Sequence, residues 1–252
     1  MKEPRKMRIL CLHGYNNTCE IMMFQMQNFI NTMSDLCEFT FIEGIRNAPD
    51  PPIKYFVERG ITPPFKSWMS TKYLPFRGLP DGSQEVAISK TQANYENVIE
   101  SVYFVLDFIN RQDEPFDGIA GFSQGVYQMQ AMFKCQQYFG KKLGLKHRMP
   151  YFAIDFNGPK WDWITYDFLR SSFISGDVFI AGCESLHFTS KKDPMAIYLR
   201  NFLNFERPTV IKHTQGHRPV RTLSKQNLRV MADFFARQYE KKNGLAADEP
   251  HV

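Results

Sequence analysis

Apolar positions along this chain fall into two kinds of run. Short, nearly continuous stretches such as Met7-Arg8-Ile9-Leu10-Cys11-Leu12, Phe116-Asp117-Gly118-Ile119-Ala120 and Asp177-Val178-Phe179-Ile180-Ala181 have the length and branching of buried strands. Longer stretches between them repeat their apolar residues every three or four positions, the spacing of one helix face. The pattern predicts strands near residues 7 to 12, 38 to 43, 116 to 121, 150 to 157, 177 to 182 and 208 to 213. It predicts helices over 20 to 34, 91 to 111, 125 to 139, 194 to 204 and 222 to 240. Strands that alternate with helices imply an α/β fold, a mostly parallel sheet doubly wound with helices on both faces. Sheets of that kind collect their chemistry at the carboxyl ends of the strands.

One segment breaks the alternation. From Arg46 to Lys90 the chain carries Pro49, Pro51, Pro52, Pro63, Pro64, Pro75 and Pro80 with little periodicity, yet also Tyr55, Phe56, Phe65, Trp68, Tyr73 and Phe76. That aromatic content is too high for a solvated linker, so residues 46 to 90 are expected to cover the sheet edge and wall a pocket. A length of 252 residues without repeats gives a single domain over 1 to 252, ending in a polar tail from Lys241 to Val252.

The chemistry centres on Gly121-Phe122-Ser123-Gln124-Gly125, which joins the strand ending at Ala120 to the helical stretch after it. A serine in such a strand-turn-helix context is presented on a turn so sharp that flanking side chains would collide with backbone, and both flanking positions are glycine. The strand ending in Leu12 runs into His13-Gly14-Tyr15, a loop able to aim the Tyr15 N–H at the oxygen that the Gln124 N–H would also face. Pro208 to His213 alternates like a strand and is followed by Thr214-Gln215-Gly216-His217, which sets His217 on a loop downstream of the serine as a general base. His213 is the weaker candidate. Its spacing to His217 suits zinc only on a helix, and Gly216 and the absence of an intervening glutamate argue against a metal.

On these motifs the chain resembles the FSH1-type serine hydrolases. The matching blocks are Leu12-His13-Gly14-Tyr15, Asn47-Ala48-Pro49, Ser67-Trp68, Gly121 to Gly125, and Gly216-His217 with Pro219. The resemblance implies a single-domain α/β-hydrolase with Ser123 as nucleophile, His217 as base and the Tyr15 loop in the oxyanion hole. It implies no cofactor, a small-molecule ester or thioester as substrate, and short to medium acyl chains. The family pattern for the triad acid is Gly-x-x-Asp at a strand end, where this chain reads Gly182-Cys183-Glu184-Ser185. Serine stands where aspartate is expected. Glu184 is therefore the first candidate for the acid and Asp193 the second. A fold whose triad has decayed into a scaffold with a protein partner, or a binding module without turnover, are the competing readings.

Composition narrows the rest. Thirty-one Lys and Arg against 26 Asp and Glu leave a net charge of +5 dispersed along the chain, not the stripe a nucleic-acid binder needs. Five cysteines without Cys-x-x-Cys spacing fit reduced thiols in a cytoplasmic protein. No apolar run is long enough for a membrane span or signal segment. The 23 Phe mostly fill the core. Trp161 and Trp163 are expected to anchor the loop after Asn157-Gly158-Pro159, His187 to lie on the surface, and Lys141, Lys142, Lys146, His147 and Arg148 to form a solvated loop.

Overall fold

Alternate residues of the first apolar run go to opposite sides of a sheet, and both sides are buried. The computed structural model describes residues 5–48, 57–58, 60–61, 64–69, 77–78, 84–85, 95–139, 144–158, 180–194 and 201–244. Its main sheet contains β1 (Met7–Leu12), β2 (Cys37–Ile42), β3 (Gly118–Phe122), β4 (Phe152–Phe156), β5 (Ile180–Ser190) and β6 (Phe205–His213). The spatial order is β6-β5-β4-β3-β1-β2 and every neighbouring pair is parallel. The helices are α1 (Cys19–Met33), α2 (Tyr95–Asn110), α3 (Gln124–Phe139) and α4 (Lys225–Asn243).

Met7, Ile9 and Cys11 pack with Met22, Met26 and Phe29 of α1 and with Met231, Phe234 and Phe235 of α4. Leu10 and Leu12 pack on the other face with Val102 and Val105 of α2 and Met129 and Met132 of α3. Two apolar layers thus sandwich a parallel sheet, the expected solution for strands that read as continuously hydrophobic. Burial of one large aliphatic or aromatic side chain contributes about 1.5–3 kcal/mol, so these layers dominate the fold's stability. The helix ends follow from local chemistry. The Thr18 hydroxyl accepts the Ile21 N–H at 3.1 Å to start α1, and Ser224 does the same for Asn227 at 3.2 Å to start α4. Gly244, at φ +66°, closes α4.

Several sequence expectations shift. The strand expected to end at 182 runs on to Ser190. Gly182 lies at φ +68°, opposite a register shift between Phe205 and Arg207, so it marks a bulge inside the strand and not its end. His187, expected on the surface, is consequently an interior strand residue and is fully buried. Of the helix expected over 194 to 204, Asn201–Asn204 is a 3-10 turn and 195–200 lie outside the described residues. The last helix runs three residues further than expected, taking Lys241 and Lys242 from the tail; Lys242 Nζ reaches Asp117 Oδ2 at 2.6 Å. Arg148 is exposed in a loop, as expected, and from there also pairs with the same buried Asp117 at 2.8 Å. Most of 46 to 90 lies outside the described residues, as do Trp161, Trp163, Lys141, Lys142 and the tail from 245. Within the described parts, Arg46–Asn47 pairs antiparallel with Lys66–Ser67, and Phe65, Trp68 and Met69 are buried.

Candidate active site

The turn between β3 and α3 holds Ser123 at φ +51°, a left-handed conformation uncommon for a residue with a side chain. Backbone bonds fix it there. The Ser123 N–H donates to the Phe156 carbonyl at 3.1 Å, and the Ser123 carbonyl accepts the N–H groups of Val126 at 3.1 Å and Tyr127 at 3.4 Å. A Cβ on Gly121 would stand 2.6 Å from the Val126 nitrogen, and one on Gly125 would stand 2.1 Å from the Leu12 carbonyl oxygen. Only glycine lets the strand, the helix and the end of β1 meet this closely.

His217 reaches the serine from the loop after β6. Its Nε2 is 3.0 Å from Ser123 Oγ and its Nδ1 is 2.6 Å from Asp193 Oδ2. Since a carboxylate only accepts, Nδ1–H donates to Asp193, which leaves Nε2 free to accept the serine proton. The Asp193 carboxylate is fully buried while the His217 side chain is 29% exposed, so the pair is closed on the acid side and open on the serine side. The Phe122 ring stands 5.1 Å from the imidazole. The turn that holds Asp193 and the loop that holds His217 are tied together. Ser190 Oγ accepts the N–H groups of Lys192 at 3.2 Å and Gly216 at 3.0 Å, and the Lys191 N–H donates to the His213 carbonyl at 3.2 Å.

Glu184, the first candidate for the acid, does not meet His217. It sits within β5, and its carboxylate accepts from Gln238 Nε2 at 3.0 Å. Because the strand continues past Gly182, its closing turn comes after Ser190, and the carboxylate against His217 is that of Asp193. The signal was legible in Ser190-Lys191-Lys192-Asp193-Pro194, a polar turn ending in proline after the alternating His187-Phe188-Thr189. Ser185 faces His187 instead. His213 is buried; burial lowers its pKa, with Asp193 opposing, and its Nδ1 accepts the Gln215 N–H at 3.2 Å.

The other side of the serine is built from β1 and α3. A Cβ on Gly14 would lie 2.9 Å from the Phe122 ring, so the backbone leading into Tyr15 passes directly beside the residue preceding Ser123. Gln124 is the first residue of α3, where N–H groups lack intrahelical acceptors and the helix dipole is positive. The Gln124 side chain has a role the sequence did not suggest. Its Oε1 accepts the Trp68 N–H at 2.8 Å and its Nε2 donates to the Met69 carbonyl at 3.2 Å. Trp68 Nε1 in turn donates to the His13 carbonyl at 2.7 Å, and the Trp68 carbonyl accepts from the Ser101 hydroxyl. His13 Nε2 accepts the Gly44 N–H at 2.8 Å, so its Nδ1–H donates to the Gly14 carbonyl at 2.7 Å. The His13-Gly14 and Ser67-Trp68 blocks therefore lock one loop against the elbow.

The family described as serine hydrolase (FSH1) matches residues 1–224. The chain is 28% identical over 249 residues to the esterase C25G4.2 of Caenorhabditis elegans, covering 96% of this chain and 98% of that one. Among solved structures, SOBER1 of Arabidopsis thaliana shares 16% identity with a TM-score of 0.55, covering 93% of this chain and 99% of that one. Acyl-protein thioesterase 2 of Zea mays shares 14% identity with a TM-score of 0.55, covering 94% and 96%. At such identities the two structures speak for the fold, which is that of the α/β-hydrolases.

Proposed function

The chain belongs to the FSH1 serine hydrolase family, and on that premise we propose that it cleaves carboxylic esters or thioesters through an acyl-enzyme on Ser123, with His217 as base and Asp193 as the acid behind it. The observation that carries this reading is the unbroken path from Ser123 Oγ through His217 to Asp193, at 3.0 and 2.6 Å. His217 Nε2 takes the proton as Ser123 Oγ attacks the carbonyl carbon. The imidazolium so formed lies against the buried Asp193 carboxylate, which stabilises its charge and holds its orientation. The N–H groups of Tyr15 and Gln124 receive the developing oxyanion, aided by the positive end of α3. His217 then gives its proton to the departing alkoxide or thiolate, and a water activated by the same nitrogen releases the acid.

The scaffold reading drew its support from the serine at 185, and a carboxylate on His217 leaves it without that support. Five unpaired cysteines favour a reducing compartment, in keeping with the cytoplasm. Residues 46 to 90 are proposed as the pocket wall, and the whole chain as a single domain. The test is hydrolysis of p-nitrophenyl esters and acyl thioesters of increasing chain length. Expected are a burst of one equivalent of leaving group and its loss in Ser123→Ala. Turnover undiminished in Ser123→Ala would overturn the reading.

A further inference from the structure

Ser185, His187 and Asp155 form a line of hydrogen bonds that the proposed reaction does not use. His187 Nδ1 is 2.7 Å from Asp155 Oδ2 and His187 Nε2 is 2.8 Å from Ser185 Oγ, and none of the three residues is more than 1% exposed. The carboxylate fixes the directions: Nδ1–H donates to Asp155, and Nε2 accepts the Ser185 hydroxyl. The second carboxylate oxygen, Asp155 Oδ1, accepts the Gly158 N–H at 2.7 Å. This bond closes a tight turn over Asn157, a fully buried residue held at φ +52°. Gly158 is pressed onto the first turn of α3, where a Cβ would meet Val126 Cγ1 at 2.2 Å.

The turn faces the base. Asn157 Nδ2 donates to the Arg218 carbonyl at 2.7 Å, immediately after His217 in the chain. Immediately before His217, the Gly216 N–H is held by Ser190 Oγ at 3.0 Å. Both neighbours of the imidazole are thus anchored, one from the end of β5 and one from the turn after β4. One residue before Asn157, the Phe156 carbonyl accepts the Ser123 N–H at 3.1 Å. Two successive residues at the end of β4 therefore hold the backbone of the nucleophile and the loop of the base.

We propose that Asn157 is a positioning residue for His217: its amide fixes the Arg218 carbonyl and with it the aim of the imidazole, and the Ser185–His187–Asp155 array holds Asn157 in the turn that gives this reach. The inference rests on the roles assigned above to Ser123 and His217. Asparagine suits both demands, since it tolerates the left-handed region and its amide donates. Aspartate could not donate to a carbonyl, and glycine would keep the turn and lose the bond. The Ser185–His187–Asp155 array gives the Gly158 N–H an acceptor that aliphatic packing would not supply.

Asn157→Gly isolates the amide from the backbone, because glycine adopts φ +52° freely. The readouts are kcat and KM on p-nitrophenyl acetate, the rate of labelling by a fluorophosphonate probe, and Tm. The expected result is a fall of about tenfold to a hundredfold in kcat and labelling rate with KM little changed, since a misaimed base slows chemistry without altering acyl binding. Asp155→Ala is expected to show the same kinetic loss. Asp155→Asn is expected to recover most of it, because its amide oxygen still accepts the Gly158 N–H and His187 can take the other tautomer. Wild-type kcat and labelling in Asn157→Gly, or a loss confined to Tm, would overturn the inference. Failure of the wild-type protein itself to label would contradict the catalytic reading beneath it, so the two are distinguishable.

Discussion

One methyl group on Gly125 would dismantle the elbow, because the Leu12 carbonyl oxygen stands 2.1 Å from where its carbon would be. Backbone cannot move aside as a flexible side chain can. Gly125→Ala is therefore expected to abolish hydrolysis and to cost about 1–3 kcal/mol of stability by overpacking, read from urea unfolding. The triad acid gives the sharpest comparison between residues. In serine proteases, neutralising the aspartate of a Ser-His-Asp triad lowers turnover about 10⁴-fold, and Asp193→Asn is expected to approach that loss. Glu184→Gln, which keeps the hydrogen bond to Gln238 within reach, is expected to leave kcat near wild type; a large loss there and none at Asp193 would reverse the assignment. At this scale the meeting of Ser123 and His217, the proposed nucleophile and base, was legible because each carries a local steric signature, paired glycines for Ser123 and a strand followed by Gly-His for His217. The carboxylate that meets His217 was not, since any Asp or Glu after a strand satisfies the pattern until the strand's end is known.

The element that sets Asp193 rather than Glu184 against His217 is β5. Glycine in a strand reads as a terminator or as a bulge, and only the register of the partner strand separates the two. Here Gly182 is a bulge at φ +68° with open space around its Cα, so substitution meets no clash and strains only the backbone. Gly182→Ala is expected to destabilise by about 1–2 kcal/mol while leaving kcat unchanged, a split measurable by thermal unfolding beside the ester assay. A comparable fall in kcat would show that the bulge tunes the site through the length of β5. The strands' existence and the helix faces were readable from periodicity. Their ends were less so, because Thr189 and Ser190 are as compatible with a turn as with a strand, and pairing with Lys212 and His213 keeps them in the ladder.

For the whole molecule, the two apolar layers on either face of the sheet followed directly from the continuous hydrophobicity of its strands. The buried polar array on one face of the sheet left no periodic trace, since a histidine and two short polar residues among apolar neighbours look like surface breaks. No helix among the described residues is long and apolar enough to cross a membrane. Burial also sets the pH range of stability. It pushes Cys19 and Cys37 up to about 12 and Cys135 to about 11 from the ordinary 9.0. Above pH 9 the unfolded chain therefore releases thiol protons that the folded chain keeps, and stability falls. Burial lowers His213 from 6.5, against the pull of Asp193, so below pH 6.5 the unfolded chain takes up that proton first and stability falls again. Tm measured across pH is expected to plateau between these limits and to decline on both sides. A Tm that kept rising above pH 9 would contradict this account of the thiols.

The central claim is that Ser123 is a nucleophile activated by His217, and covalent capture tests it most directly. Native protein treated with a fluorophosphonate, digested and weighed by mass spectrometry is expected to carry one adduct, on the peptide containing Ser123, absent from heat-denatured protein and from His217→Ala. Folded protein that takes up no adduct, or takes it up equally without His217, would contradict the account.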